Sequence, residues 1–319
     1  MQAATADDAL LSSISTGISM IHRPRIGAFA GIVTKILCLL VLCGGPACGQ
    51  DLQAAGFAPS NNFDLRGLNY IVTGVGEAES APGTSTLEYA NQVKFRVSIR
   101  YRLIPFFPEN GGASDSGVYL GYRQTSFWHA FDKSESRPFY DDNYRPGIYT
   151  RISAFDRDQP MFGRQMLNPS LEVGFFHESN GRDGLANRSL NELEINGYLG
   201  MPGATNFAAR FSFYPLLSTA DENADIGDTI GRGEVQLFVA PGATNFDTFG
   251  FVSAFVSSRV WGDTAFRNVE VNLALTPVAT VGKYFKASLL VQYFYGYGEN
   301  LLDYDDIHDS FRFGVGFLR

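Results

Sequence analysis

The sequence predicts an all-β chain, an antiparallel transmembrane β-barrel of about twelve strands. Three observations carry this expectation. From residue 67 onward, apolar and polar residues alternate in run after run, with Gly, Asn, Asp and Pro collected at the breaks; this is the signature of strands joined by turns. No stretch of 18 apolar residues follows residue 50, so the chain offers no ordinary membrane helix. The polar faces of the strands carry both signs of charge, Arg96, Arg100 and Arg102 against Glu172, Glu192, Glu194, Glu234 and Glu270, which can pair inside a closed lumen while the apolar faces meet lipid. A soluble barrel would invert the two faces. Tyr293, Tyr295 and Tyr297 near a strand end fit an interfacial aromatic girdle, and Phe317 sits on a last strand close to the end of the sequence.

In order along the chain, residues 1–49 read as an export signal. His22, Arg23 and Arg25 form a basic region, Ile36–Cys43 an apolar core, and Ala47-Cys48-Gly49 a small-residue cleavage site. Met20 is an alternative start, and Cys43 or Cys48 as a lipidated residue is the alternative processing. Cys38, Cys43 and Cys48 are the three cysteines of the chain, so the expected mature protein has no disulfide or thiolate metal site. The signal holds three basic and two acidic residues of the 25 and 33 in the whole chain, leaving 22 and 31 and a formal charge of −9. That balance argues against a nucleic-acid partner.

Residues 50–66 form a short N-terminal segment, and 67–319 form the barrel domain. Strands are expected at 68–76, 92–103, 116–127, 146–155, 207–216, 232–240, 248–258, 267–275, 284–295 and 310–317, with a hairpin spanning 171–199. Many have the nine to eleven or so residues of a tilted membrane strand.

The hairpin carries the chemistry. Leu171, Val173, Phe175, His177 and Ser179 share one face of its first strand, and Asn191, Leu193, Ile195, Gly197 and Leu199 one face of its second. Folding symmetrically about Gly184 sets His177 opposite Asn191. A serine hydroxyl becomes a nucleophile when a neighbouring base takes its proton, and histidine is the usual base near neutral pH. An asparagine oxygen accepting from the imidazole N–H fixes the tautomer of that base. His177 and Ser179 lie roughly 7 Å apart along the strand, within reach of each other's side chains. The alternative is a pair of ordinary polar residues at a strand end.

The run HESNGR followed by RSLN resembles the active-site signature of the outer-membrane phospholipase A family, H-D-S-N-G-R, five residues, then R-S-x-N, with Glu178 in place of aspartate. Gly296–Asp305, GYGENLLDYD, is similar to that family's G-Y-G-E-S-L-I-D-Y-N. Arg137-Pro138-Phe139 with Asn143-Tyr144-x-Pro146 is a third match, and the three occur in the family's order. The resemblance implies hydrolysis of phospholipid acyl esters, at the A1 and A2 positions and in lysophospholipids, on the outer surface of the barrel. It implies Ser179 as nucleophile, His177 as general base, Asn191 as its orienter and the Gly181 backbone N–H as oxyanion donor. It also implies a calcium cofactor held by the Arg182 carbonyl and Asn187, where the family usually has serine, with Ser136 supplied by the partner subunit. The implied partners are phospholipids of the bacterial outer membrane and a second copy in a reversible homodimer, with Gln124 in the interface. A lumen-facing Gln124 and a plain polar loop around Ser136 are the alternatives.

His129 reads as interfacial, and His308, with Asp303, Asp305 and Asp306, as part of a solvated acidic turn. The competing function class is an inactive structural or channel-type barrel; a soluble lipid carrier is a third.

Overall fold

A computed structural model describes residues 63–79, 86–106, 116–130, 139–153, 169–201, 205–241, 251–261, 266–276 and 286–318. The expected export signal and most of the 50–66 segment lie outside these. The strands are β1 (Phe63–Leu65), β2 (Asn69–Glu79), β3 (Thr86–Pro105), β4 (Gly117–Trp128), β5 (Phe139–Ser153), β6 (Ser170–Ser179), β7 (Ser189–Met201), β8 (Thr205–Phe213), β9 (Leu216–Thr219), β10 (Gly233–Pro241), β11 (Phe251–Val260), β12 (Asn268–Thr276), β13 (Lys286–Gly296) and β14 (Ile307–Leu318). Twelve of them close into one antiparallel cycle: β3 pairs β2, β2 pairs β14, the order then descends to β4, and β4 returns to β3. β1 lies on β3 and β9 on β7, both outside the cycle. Closure gives every strand of the cycle a partner on both sides and leaves no edge strand, which is what a strand protein needs in order to sit in hydrocarbon.

The faces are sorted as a membrane barrel requires. In β6, Leu171, Val173 and Phe175 are 45%, 38% and 60% exposed, while Glu172 and Phe176 on the opposite face are 1% and 3% exposed. In β3, Val97, Tyr101 and Leu103 point out and Ser98, Arg100 and Arg102 point in. In β14, Phe311, Phe313 and Phe317 point out, and Ser310 and Arg312 in.

Beside a buried apolar cluster that includes Tyr70, Val72, Phe238 and Leu290, the interior is held by ion pairs. Arg145 reaches Glu178 at 3.0 Å, Glu194 at 2.5 Å and also Glu192. Arg66 bridges Glu172 and Glu194 at 3.0 and 2.7 Å, and Arg151 binds Glu172 at 2.7 Å. Lys94 lies between Glu270 and Glu299, and Arg312 also pairs Glu299. Burial alone would raise the carboxyl of Glu299, but Arg312 and Lys94 beside it hold it well below the usual carboxylate range. Aromatic faces complete the packing, with the Arg145 guanidinium 4.5 Å from the Phe176 ring centre. A polar cavity of about 160 Å³ remains among these side chains, far short of a wide aqueous channel.

Three features differ from the sequence reading. β5 starts at Phe139, not 146, and Pro146 lies inside it. The ladder to β6 absorbs the proline: Tyr144 pairs Ser179 and Gly147 pairs Phe176, with no pairing at Arg145 or Pro146, where the missing N–H cannot donate. β3 extends to 20 residues, well past the expected 92–103. The strand expected at 207–216 ends at Phe213, and the stretch from there to β10 carries β9, a 3₁₀ turn at Asp221–Asn223 and the short helix α1 (Ile226–Ile230). Ile226 packs there with Leu190, Leu301 and Tyr304, so this stretch and the β13–β14 loop cap the end of the barrel that carries the β6–β7 turn.

Arg145→Ala takes the ion-pair partner from buried Glu192 and one partner each from Glu178 and Glu194, and is expected to lower unfolding stability in detergent by about 3–5 kcal/mol. Arg232→Ala, which removes an exposed pair with Asp228, is expected to change it by about 0.5 kcal/mol or less. Urea titration of both variants, followed by heat-modifiable gel mobility, checks the contrast.

Candidate active site

The β6–β7 hairpin pairs His177 with Asn191 and Ser179 with Ser189, the symmetric fold about Gly184 that the alternation predicts. Gly181 and Gly184 turn the chain with φ of 67° and 58°, a backbone region that side-chain-bearing residues rarely adopt. Just before them Asn180, which points inward and is buried, organises the turn. Its Nδ2 donates to the Ala186 carbonyl at 2.9 Å, and its Oδ1 accepts from the Arg182 and Arg188 backbone N–H groups at 3.3 and 3.0 Å.

On the outer face, His177 Nδ1 lies 2.9 Å from Asn191 Oδ1. Asn191 Nδ2 donates to Ser218 Oγ, also at 2.9 Å. His177 and Asn191 are exposed and Ser179 is half-buried. Ser179 has Tyr144 as its register partner on β5 and Ser189 on β7. No hydrogen bond joins Ser179 to His177 among the described residues; such bonds are commonly loose without substrate and tighten around it. The outward side of the site is apolar: Leu120, Ile148, Phe175 and Leu217 line a shallow groove with His177 and Asn191 at its head. The inward side is charged, because Glu178 and Glu192 alternate with the site residues and both bind Arg145.

The three sequence motifs converge at this rim. Asp141 is fully buried and accepts from the Leu301 and Leu302 backbone N–H groups at 3.0 Å and from Asn143 at 2.6 Å. Arg182 donates to the Tyr140 carbonyl and lies 3.9 Å from Asp141. Tyr140 donates its hydroxyl to Asp303 at 2.5 Å. The turn that follows the serine is thus tied to the β13–β14 loop through the start of β5.

Of the expected metal-ligating residues, Arg182 is exposed and Asn187 half-buried in the same turn, with Asn187 Nδ2 3.4 Å from Glu222 Oε2. Ser136 lies outside the described residues. No group of three or more His, Cys, Asp or Glu side chains poised for a metal occurs among the described residues. Gln124 faces outward on the same side of β4 as the exposed Leu120, where it accepts from the Tyr122 hydroxyl at 2.8 Å and donates to Ser126 at 3.0 Å. The lumen-facing alternative for it falls away. His129 stacks on Tyr140 with ring centres 5.2 Å apart. His308 is not in a solvated turn: it sits on β14, buried, 3.6 Å from Glu299, because alternation along β14 turns it to the lumen.

The site involves residues that the motifs did not single out. Alternation along HESNGR turns Asn180 inward, a legible signal. Ser218 comes from a short strand with no motif, and only the three-dimensional pairing reveals it.

The phospholipase A1 family model matches residues 72–318. Phospholipase A1 of Salmonella typhimurium is 27% identical over 244 residues, covering 76% of this chain and 74% of that protein. The outer-membrane phospholipase dimer of Salmonella typhi, solved with bound calcium, superposes with a TM-score of 0.62 at 22% identity, covering 85% of this chain and 99% of the other. The Escherichia coli outer-membrane phospholipase A, solved as an active-site mutant with asparagine replaced by alanine, superposes at 0.60 and 21% identity over 85% and 98%. The chain belongs to the phospholipase A1 family, phospholipases built as outer-membrane β-barrels.

Asn180→Ala removes three hydrogen bonds from the turn without touching a ladder. Amide exchange at 181–188 is expected to quicken by more than about tenfold, with the β6 and β7 amides unchanged, as read by hydrogen–deuterium exchange.

Proposed function

We propose that this barrel hydrolyses the acyl esters of membrane phospholipids by a serine mechanism, on the surface it presents to lipid. The observation that carries the proposal is the His177–Asn191 pair, hydrogen-bonded on the outer face at the head of an apolar groove. A base facing hydrocarbon and headgroups, and not the lumen, suits a substrate that is itself part of the bilayer.

His177 Nε2 takes the proton of Ser179 as Oγ bonds to the ester carbonyl carbon, and the carbonyl π pair moves onto oxygen. The oxyanion collapses, the ester C–O bond breaks, and His177 returns the proton to the departing glycerol oxygen. Water then repeats the sequence on the acyl-Ser179 ester and releases fatty acid. Asn191 Oδ1 accepts from His177 Nδ1–H throughout, so Nε2 stays free to accept. An amide suits this lipid-facing position better than a carboxylate, whose desolvation costs several kcal/mol. The Gly181 backbone N–H is the protein's own donor to the oxyanion. Nothing in this chemistry separates the A1 from the A2 ester, and lysophospholipids carry the same bond.

The β6–β7 turn also suits a hard cation: the Arg182 carbonyl and the Asn187 amide oxygen are ligands of the type calcium takes, and Asn180 holds the turn that presents them. Held there, a calcium ion would supply positive charge to the developing oxyanion. Calcium takes six to eight oxygen ligands, so the turn would gain a further oxygen from Ser136 of the partner subunit. Reversible pairing of two barrels through the Gln124 flank then controls activity, and the relative solved as a calcium-bound dimer supports this reading.

Fatty-acid release from phospholipid–detergent micelles tests the proposal. Ser179→Ala and His177→Ala are each expected to lower kcat by about 10³-fold or more, with Asn191→Ala intermediate and chelation of calcium lowering the native rate. Calcium with a non-hydrolysable substrate analogue is expected to raise the cross-linked dimer yield. Release that persists in Ser179→Ala excludes this nucleophile; no release from the folded native barrel with calcium favours a structural or channel role.

A further inference from the structure

An asparagine that orients a histidine has a weakness that an aspartate lacks: its two ends differ. When His177 carries the proton of Ser179, both ring nitrogens are donors, so Asn191 has to present Oδ1. A half-turn of the amide sets an NH₂ against an N–H and leaves the imidazolium without its acceptor. With neutral His177, the turned amide instead donates to Nδ1 and selects the tautomer whose Nε2 bears the proton and cannot serve as base. A carboxylate is indifferent to this rotation; an amide has to be held.

We infer that Ser218 is the positioning residue that holds it, a role that rests on the serine-hydrolase reading above. Ser218 Oγ accepts from Asn191 Nδ2 at 2.9 Å, so both ends of the amide are paired while Oδ1 faces His177. On a surface turned to lipid this matters more than in water, because an unpaired amide end finds no solvent partner.

The local architecture delivers the hydroxyl to that point. β9 lies outside the barrel cycle and pairs β7 alone. Its register sets Ser218 opposite Asn191 and then skips Leu217, so that Glu192 opposes Leu216. The extra residue is a bulge, a device that re-aims side chains beside active sites. Leu217 and Ser218 both emerge on the outer face, where Leu217 lines the groove and Ser218 meets the amide. The strand is clamped at both ends by groups other than this hydroxyl. The Pro215 carbonyl accepts from Leu193 N–H at 3.0 Å, the Ala220 N–H donates to the Ser189 carbonyl at 2.9 Å, and the buried Asn223 bonds both backbone groups of Ser189 at 3.2 and 3.3 Å. Loss of the Ser218 hydroxyl therefore leaves β9 in place.

The isosteric pair Ser218→Thr and Ser218→Val isolates the hydroxyl. Rates are taken per folded barrel, as judged by heat-modifiable mobility, with phosphatidylcholine–detergent micelles as substrate. Ser218→Val is expected to lower kcat by about tenfold with KM unchanged, and Ser218→Thr to recover most of that loss. The ¹⁵N signals of His177 in detergent are expected to report one Nδ1–H tautomer in the native protein and the Thr variant, and a mixture in the Val variant. Equal kcat and equal His177 spectra for Thr and Val overturn the positioning role while leaving the serine mechanism intact. Native activity that survives Ser179→Ala overturns both.

Discussion

Arg145 is the interaction on which the rest of the hairpin depends. It projects into the lumen from β5 and binds glutamates on β6 and on β7, so one guanidinium ties together the three strands that carry the candidate site. Strand alternation makes this consequential: Glu178 lies between His177 and Ser179, and Glu192 follows Asn191. Fixing the inward carboxylates fixes the pleat, and the pleat aims the outward side chains. The same lattice packs the lumen beside its apolar cluster, since buried charges persist only when paired and hydrogen-bonded.

That sorting of faces gives the chemistry its setting. A soluble hydrolase excludes water by closing a pocket, whereas here the substrate's own phase borders the site. Under the proposed mechanism the outer surface needs only a shallow apolar groove, a base whose tautomer is held and a turn that presents backbone donors. The Asp141 hub extends the same economy to the rim, because one buried carboxylate joins the start of β5 to the β13–β14 loop beside Arg182 of the β6–β7 turn. The three motifs of the sequence are thus parts of a single rim, with the proposed catalytic set on one face of it and the bracing on the other.

Much of this was legible in the sequence because strand alternation has a period of two and the hairpin is short. Once Gly184 is taken as its centre, His177 can oppose only Asn191, and the charged partners of the outward aliphatic residues follow. Twelve closed strands and their outward apolar faces follow from the same pattern. What escaped the reading depends on contacts between segments far apart in the chain. Pro146 looks like the start of a strand until the neighbouring ladder is seen to skip it. His308 looks solvated in a run of aspartates until β14 turns it inward. Ser218 belongs to no motif and becomes meaningful only when β9 folds back beside β7.

The central claim is that the nucleophile works from the lipid-facing surface, and covalent capture tests it most directly. The barrel, reconstituted in phospholipid vesicles, is treated with a long-chain alkylsulfonyl fluoride that partitions into the bilayer, and the modified peptide is mapped by mass spectrometry. A single adduct on Ser179, formed in step with loss of fatty-acid release and absent from His177→Ala, is the result this account predicts. An adduct on another residue, or complete inactivation with Ser179 unmodified, contradicts it.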